Sequence, residues 1–224
     1  MIKLKKINLY HLDYPLKNYV IASFGLMKSR PALILELTDT DDNKGLGEIW
    51  CNFPSDGASY KFNLFKNIFV NKLINSSIRH PKDLRTIFES IKTIFVQSDD
   101  LGSYNSILSA IDCAYWDLIA KKKKIPLNKL INNKSSNNIE VYASGINSNS
   151  AINSIINARS LGIKFFKIKT GFDNKLDQRL IKSIFKIKKN NEKIMLDINQ
   201  GWDLKKANFY ITKMSKHPIF WIEE

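Results

Sequence analysis

The chain has 224 residues, 44% of them hydrophobic and 11% aromatic, which supplies a packed core and excludes wholesale disorder. A formal charge of +14 invites a polyanionic partner, yet only five of the 35 basic residues are arginine, so the excess is lysine spread along the chain, and no nucleic-acid partner is expected. Two cysteines give no disulfide framework or metal spacing, the N-terminus has no signal-peptide core, and no apolar run reaches the ~20 residues of a membrane span, so a cytoplasmic protein with no membrane partner is expected.

Residues 2–13 alternate apolar and polar and predict a strand. PALILELTDTDDNKGLGEIW predicts a hairpin, with a strand over 31–37, a turn over 41–45 and a return through Glu48. Apolar positions at three- and four-residue spacing predict helices over 58–75 and 82–96, the second opened by Pro81. The strongest stripe, from Ile107 through Ile111 and Ala114 to Leu118, predicts a helix over 104–123. Its last turn would hold Lys121–Lys124, where cations are favoured. Strands followed by helices make residues 1–130 an α+β domain, with asparagine-rich 131–138 as a linker.

The pattern then changes. IEVYASG, KFFKIKTG, KIMLDINQG and PIFWIEE predict strands, and 148–161, 174–189 and 204–216 predict helices between them. That alternation implies a parallel sheet, doubly wound or a barrel, and no glycine-rich phosphate loop follows any strand. Residues 139–224 are therefore expected to form a partial (β/α) barrel of four strands.

Three successive strands end in polar side chains: Lys167 and Lys169, then Asp197 and Asn199, then Glu223. Residues two apart share a strand face, and C-terminal strand ends are where parallel barrels assemble active sites. Carboxylates on neighbouring strands suit a hard cation, and a nearby lysine suits a base. Singly, these residues mean little. Lys-x-Lys recurs at Lys186 and Lys188 on a predicted helix, Asp-x-Asn recurs at Asp41 and Asn43 in a turn, and Asp197 alone also fits a helix cap.

Taken in order, the segments resemble the mandelate racemase/muconate-lactonizing branch of the enolase superfamily. FKIKTG, LDINQGW and WIEE resemble its barrel motifs, VYASG its first barrel strand, and GLGEIW and AIDCAYWDLIAKKKKIPLNKL its capping-domain motifs. The resemblance implies an α+β capping domain followed by the first half of a modified (β/α)7β barrel. It implies Mg2+ as cofactor, with Asp197 and Glu223 as ligands. Lys169 would be the base that removes the proton α to a carboxylate, and Lys167 would lower its pKa and meet the substrate carboxylate. Asn199 would hold the substrate or a metal-bound water. Substrate selection would lie in segments 21–30 and 50–57, with Phe24, Met27, Trp50 and Phe53 as an apolar lid, while Glu48 and Trp116 serve packing.

The implied reaction is racemisation or epimerisation, acid-sugar dehydration or cycloisomerisation of a small-molecule carboxylate, by a homo-oligomer when full length. The family pattern also asks for a third carboxylate and a second acid/base on later strands. Because Glu224 is the last residue, an incomplete and inactive fragment is expected. Two other readings stand beside it: a non-catalytic paralogue that binds a carboxylate or sugar acid, and a basic nucleic-acid-associated protein.

Overall fold

The structure is a computed structural model of the chain and describes residues 2–22, 25–54, 56–74, 76–171 and 173–224. The chain divides into two units, each with its own core: residues 2–20 and 26–135 make up the first, and residues 136–224 together with 21, 22 and 25 the second.

The first unit runs β1 (Ile2–Ala22), β2 (Gly25–Asp39), β3 (Lys44–Ile49), α1 (Gly57–Leu64), a π-helical turn (Phe65–Phe69), α2 (Val70–Ile74), β4 (Ser77–Ile78), α3 (Lys82–Gln97), α4 (Leu101–Lys123) and α5 (Leu127–Ile131). Its sheet has the order β3-β2-β1-β4, antiparallel between β2 and β3 and between β1 and β4. Alternation decides which face is buried. Leu33, Leu35 and Leu37 of β2 are wholly buried, while Ile34 and Glu36 between them are not. The hairpin turn is tied by Asp39, whose buried carboxylate accepts the backbone N–H of Asp41 at 3.0 Å and of Asn43 at 2.8 Å.

The predicted stripe of α4 is the buried one, since Ile107, Ala110, Ile111, Ala114 and Leu118 are all fully enclosed. Asp100 caps α4 by accepting from Ser103 N at 3.1 Å. Its last turn ends in paired lysines, Lys121 on Asp117 at 2.7 Å and Lys122 on Asp39 at 2.8 Å. Phe69, Phe88, Phe95 and Tyr104 fill the space between the helices, with Phe69 and Phe88 rings 5.3 Å apart. Trp116 is half-buried with its ring edge-on to His80, whereas Glu48, expected to serve packing, is exposed.

The second unit alternates β5 (Ala143–Ile146), α6 (Ala151–Ser160), β6 (Phe165–Lys169), α7 (Asn174–Ile187), β7 (Lys193–Asp197), α8 (Leu204–Met214) and β8 (Ile219–Glu223). The strands are parallel in the order β5-β6-β7-β8. Phe166, Ile168, Ile194, Leu196 and Ile198 pack with Ile155, Ile181, Ile184 and Met214 of the helices. The alternate positions, Lys167, Lys169, Met195 and Asp197, belong to the opposite sheet face. Arg159 of α6 clamps the buried Glu192 just before β7, with Nε donating at 2.6 Å and Nη2 at 3.0 Å.

Two expectations shift. β5 starts at Ala143 rather than at 139, leaving Ile139 87% and Val141 57% exposed. Strand-forming side chains do not suffice without a ladder partner, and pairing with β6 begins only at Ala143↔Phe166. The helix expected from 148 starts at Ala151, after a 3-10 turn over Ser148–Ser150.

Candidate functional site

The site follows from strand register. Lys169 pairs with Asp197 across β6 and β7, and Asp197 pairs with Glu223 across β7 and β8. Three strand ends thus present one in-register row of a base and two acids, set at the C-terminal edge of the parallel sheet. Lys167 lies one pleat repeat back on the same face, in register with Met195. Its four-carbon stem carries the ammonium forward to the row, where Nζ donates to Glu223 Oε1 and stands 3.5 Å from Asp197 Oδ2.

The electrostatics of this corner are legible from exposure. The Lys167 and Asp197 side chains are only 11% and 10% exposed, and that of Glu223 33%. Burial pulls the Lys167 ammonium toward neutrality, but the hydrogen bond to Glu223 and the charge of Asp197 outweigh it, and the net pKa lies above the ordinary 10.5. Two carboxylates on neighbouring strands repel, and the Lys167 ammonium placed against both offsets that repulsion. The ring of Tyr142 beneath it, 5.5 Å from Nζ, adds a weaker attraction.

Asn199 acts on the same acid. Its Nδ2 donates to Asp197 Oδ1 at 2.7 Å and its backbone N–H to the same oxygen at 3.0 Å. The backbone turns sharply here, with φ of +49° at Asn199 and +59° at Gln200, a region asparagine enters more readily than most residues. The cap of α8 is Asp203, which accepts from Lys206 N at 2.7 Å, so Asp197 is not spent as a helix cap. Gly171 closes the neighbouring loop at φ +95°, and a Cβ there would lie 2.6 Å from Ile198 Cγ2.

Trp221 escaped the sequence reading. Its indole Nε1 donates to Glu223 Oε2 at 3.0 Å and stands edge-on to Tyr142 at 5.7 Å. The signal was available, since Trp221 and Glu223 are two apart and share a strand face. Of the lid residues proposed from sequence, Phe24 lies outside the described residues, Met27 is buried, Trp50 is 52% exposed and Phe53 is half-buried.

The donors fit a hard cation in kind, because both acids offer carboxylate oxygens from paired strand positions, and the Lys167 ammonium now set against those oxygens would have to give way to the ion. Among the described residues, no group of three or more His, Cys, Asp or Glu side chains converges. No described helix is long and apolar enough to cross a membrane.

The family model for the mandelate racemase / muconate lactonizing enzyme N-terminal domain matches residues 6–132. The chain belongs to that family. Its first unit is the family's capping domain, and its second is the four-stranded parallel start of the barrel. It is similar to an L-Ala-D/L-Glu epimerase of Francisella tularensis subsp. novicida, 26% identical over 98% of this chain and 60% of the relative. It is also similar to an N-succinyl-L-Arg/Lys racemase of Bacillus cereus, 24% identical over 100% of this chain and 59% of the relative.

Among solved structures, a mandelate racemase/muconate lactonizing enzyme of Bordetella bronchiseptica RB50 superposes with a TM-score of 0.87 at 27% identity, covering 100% of this chain and 58% of that one. The chain therefore spans about three fifths of the length of the curated relatives it matches. Other relatives are named as o-succinylbenzoate synthases, and structural neighbours include acid-sugar dehydratases, one of them from Polaromonas sp. JS666 crystallised with Mg and L-glucarate.

Proposed function

We propose that the second unit carries the proton-abstracting side of a site for carbon acids, in which Lys169 removes a proton α to a carboxylate. The observation that carries this reading is the in-register row Lys169–Asp197–Glu223 with Lys167 seated against both acids. An α-proton beside a carboxylate is weakly acidic because its removal leaves a second negative charge on the same group. The difficulty is electrostatic, so the site must place cations where that charge grows.

This chain's residues divide the task. Lys169 at the end of β6 holds or accepts the proton. Lys167 supplies a fixed positive charge from deeper in the sheet. Asn199 and Trp221 hold Asp197 and Glu223 in their orientations. Asp197 and Glu223 are the residues that would hold Mg2+, which when bound supplies the positive charge that the developing dianion needs.

The epimerase and the racemase among the curated relatives are named for chemistry at an amino-acid α-carbon, which sits between a carboxylate and an acylated nitrogen in a dipeptide or N-succinyl amino acid. N-acylated α-amino acids are accordingly the substrate class to test first, with Trp50 and Phe53 in the segment that selects among them. The test is proton NMR of L-Ala-L-Glu or N-succinyl-L-arginine in D2O with Mg2+ and the protein carrying this chain. The α-proton signal should wash out, and Lys169→Ala should slow the loss by about 10²- to 10⁴-fold for at least one enantiomer. Exchange at the original rate in the variant would overturn the assignment of the base.

Expressed alone, residues 1–224 offer two carboxylates to an ion that takes about six ligands, so we expect Mg2+ to bind no tighter than roughly millimolar and turnover to be absent. Micromolar binding by calorimetry would show that a further group completes the site.

A further inference from the structure

The backbone alternates as it leaves β3. Ile49 is wholly buried, Trp50 is 52% exposed, and Cys51 is 1% exposed. The ladder between β2 and β3 ends at Leu33↔Ile49, so the Trp50 carbonyl has no strand to receive it. A large indole is thus held out in solvent on a segment whose own backbone acceptor needs a partner.

Lys61 provides that partner. It lies on the buried face of α1 with Gly57 and Ala58, and is only 6% exposed. Its Nζ donates to Trp50 O at 2.7 Å and to Ser106 Oγ of α4 at 3.4 Å, and lies 5.0 Å from the centre of the Trp50 ring. One ammonium therefore grips the same residue twice, by the carbonyl and by the face of the indole.

Nothing in core packing asks for this group. A lysine is rarely this buried, and its two hydrogen-bond partners are neutral. Burial pulls its pKa below the ordinary 10.5, with Cys51 and Asp100 pulling weakly the other way. A methionine would fill the same space without the desolvation penalty. What the ammonium adds over methionine is the hold on Trp50.

We propose that Lys61 is a positioning residue that fixes the orientation of the Trp50 indole on the segment after β3. This deepens the function proposed above, because it rests on that segment selecting the substrate. The rest of the segment is tied separately. Gly57 N donates to Pro54 O at 2.8 Å, and Tyr60 on α1 donates through its hydroxyl to Asp100 Oδ2 at 2.7 Å. Loss of Lys61 should therefore free the indole without unravelling the turn into α1.

The test uses the full chain labelled with 5-fluorotryptophan, in which Trp50→Phe assigns the Trp50 fluorine line among the four tryptophans. In Lys61→Met the Trp50 line should move toward free fluorotryptophan and gain a larger H2O/D2O shift, while the circular-dichroism melt stays cooperative. Lys61→Arg should restore part of the original shift. The unmodified chain should also show the Trp50 line titrating at alkaline pH as Lys61 loses its proton, below the ordinary lysine range. That arm reports even if the methionine variant fails to fold. The groups that share this field are Cys51 and Glu48 on the β3 side, Asp100 at the start of α4, and Tyr60 on α1. A Trp50 line unchanged in Lys61→Met, or one indifferent to pH in the unmodified chain, overturns the proposal.

Kinetics with the N-acyl amino acids, measured on the protein carrying this chain rather than on residues 1–224 alone, separate the two claims. If the segment selects substrate, Lys61→Met raises KM by about 10-fold with kcat nearly unchanged. If the fluorine line moves and KM does not, the hold of Lys61 on Trp50 stands and the substrate-selecting role of the segment falls.

Discussion

At the scale of single residues, each unit holds an enclosed carboxylate that is tied by a cation and by backbone donors. Asp39 is wholly buried and collects the Asp41 and Asn43 backbone donors, the Asn43 amide and the Lys122 ammonium. Burial alone would push its carboxyl up, but Lys122 and the turn donors outweigh that, and its pKa falls below 3.8. A carboxylate depressed by folding adds stability in full above its unfolded value, and that stability is lost as pH falls through the lower folded value. Glu192, also lowered against burial by Arg159, behaves the same way in the second unit. We expect Asp39→Ala to cost about 2–4 kcal/mol in urea unfolding at pH 7, because it strands the turn's N–H groups while Lys122 keeps Asp41, and to flatten the loss of stability below about pH 4. An unchanged acid limb would show that Asp39 is not the group titrating. Neither role was legible in the sequence, because Asp39 looks like ordinary turn chemistry and Glu192 sits among surface lysines. The signal at the corner formed by Lys167, Lys169, Asp197 and Glu223 was stronger, since polar residues at three consecutive strand ends have no structural reason to recur. Even there, spacing gave the face of Lys167 but not its partners, which depend on how far along the strands its stem reaches.

At the scale of elements, β3 and α4 approach each other closely. A Cβ built on Gly45 would lie 1.9 Å from Ala114 O, and one on Gly47 would lie 2.0 Å from Ala110 O, both backbone atoms that cannot step aside. Two glycines on one face of a strand meet two alanines one helical turn apart, which lets the helix axis settle directly onto the sheet. Leu46 N, between the glycines, donates to Asp117 Oδ2 at 2.8 Å and locks the register. Gly47→Ala should therefore cost about 3 kcal/mol or more in chemical unfolding, whereas Gly102→Ala, with nothing within 4 Å of the new methyl, should be neutral or slightly stabilising. Equal effects would mean the contact is softer than its geometry. The elements themselves were largely legible, since the α4 stripe and the β2 alternation are set by burial on one side. Residues 139–142 misled because strand propensity is expressed only where a neighbour supplies hydrogen bonds. The glycines of GLGEIW resembled a family motif, but the reason for them required the helix to be in view.

At the scale of the whole molecule, the two cores differ in how well they are enclosed by their own elements. The first joins a four-stranded sheet to three long helical segments, and its largest side chains, among them Phe65, Phe69, Phe88 and Tyr115, are essentially sealed. The second has β5 and β8 as the edges of its sheet, and β8 carries Phe220 at 52% exposure. Lys193 Nζ lies 3.9 Å over that ring, so the neighbouring strand places a charge on an otherwise apolar edge, the kind of device that slows edge-to-edge pairing without abolishing it. Between the cores, residues 131–134 and 136–142 are mostly exposed, and Lys134 stands in the middle of this stretch. Brief trypsin treatment should cut first after Lys134, although lysines are spread along the whole chain, because the helices and strands protect the others from fitting a protease cleft. The piece ending at Lys134 should keep its helical circular dichroism and melt cooperatively. The piece beginning at Ser135 should self-associate on gel filtration, because β5 and β8 leave two strand edges open. Cuts scattered through α4 or β6 at the same early times would overturn Lys134 as the first site, and a monomeric, cooperatively melting second piece would show that its open edges do not drive association.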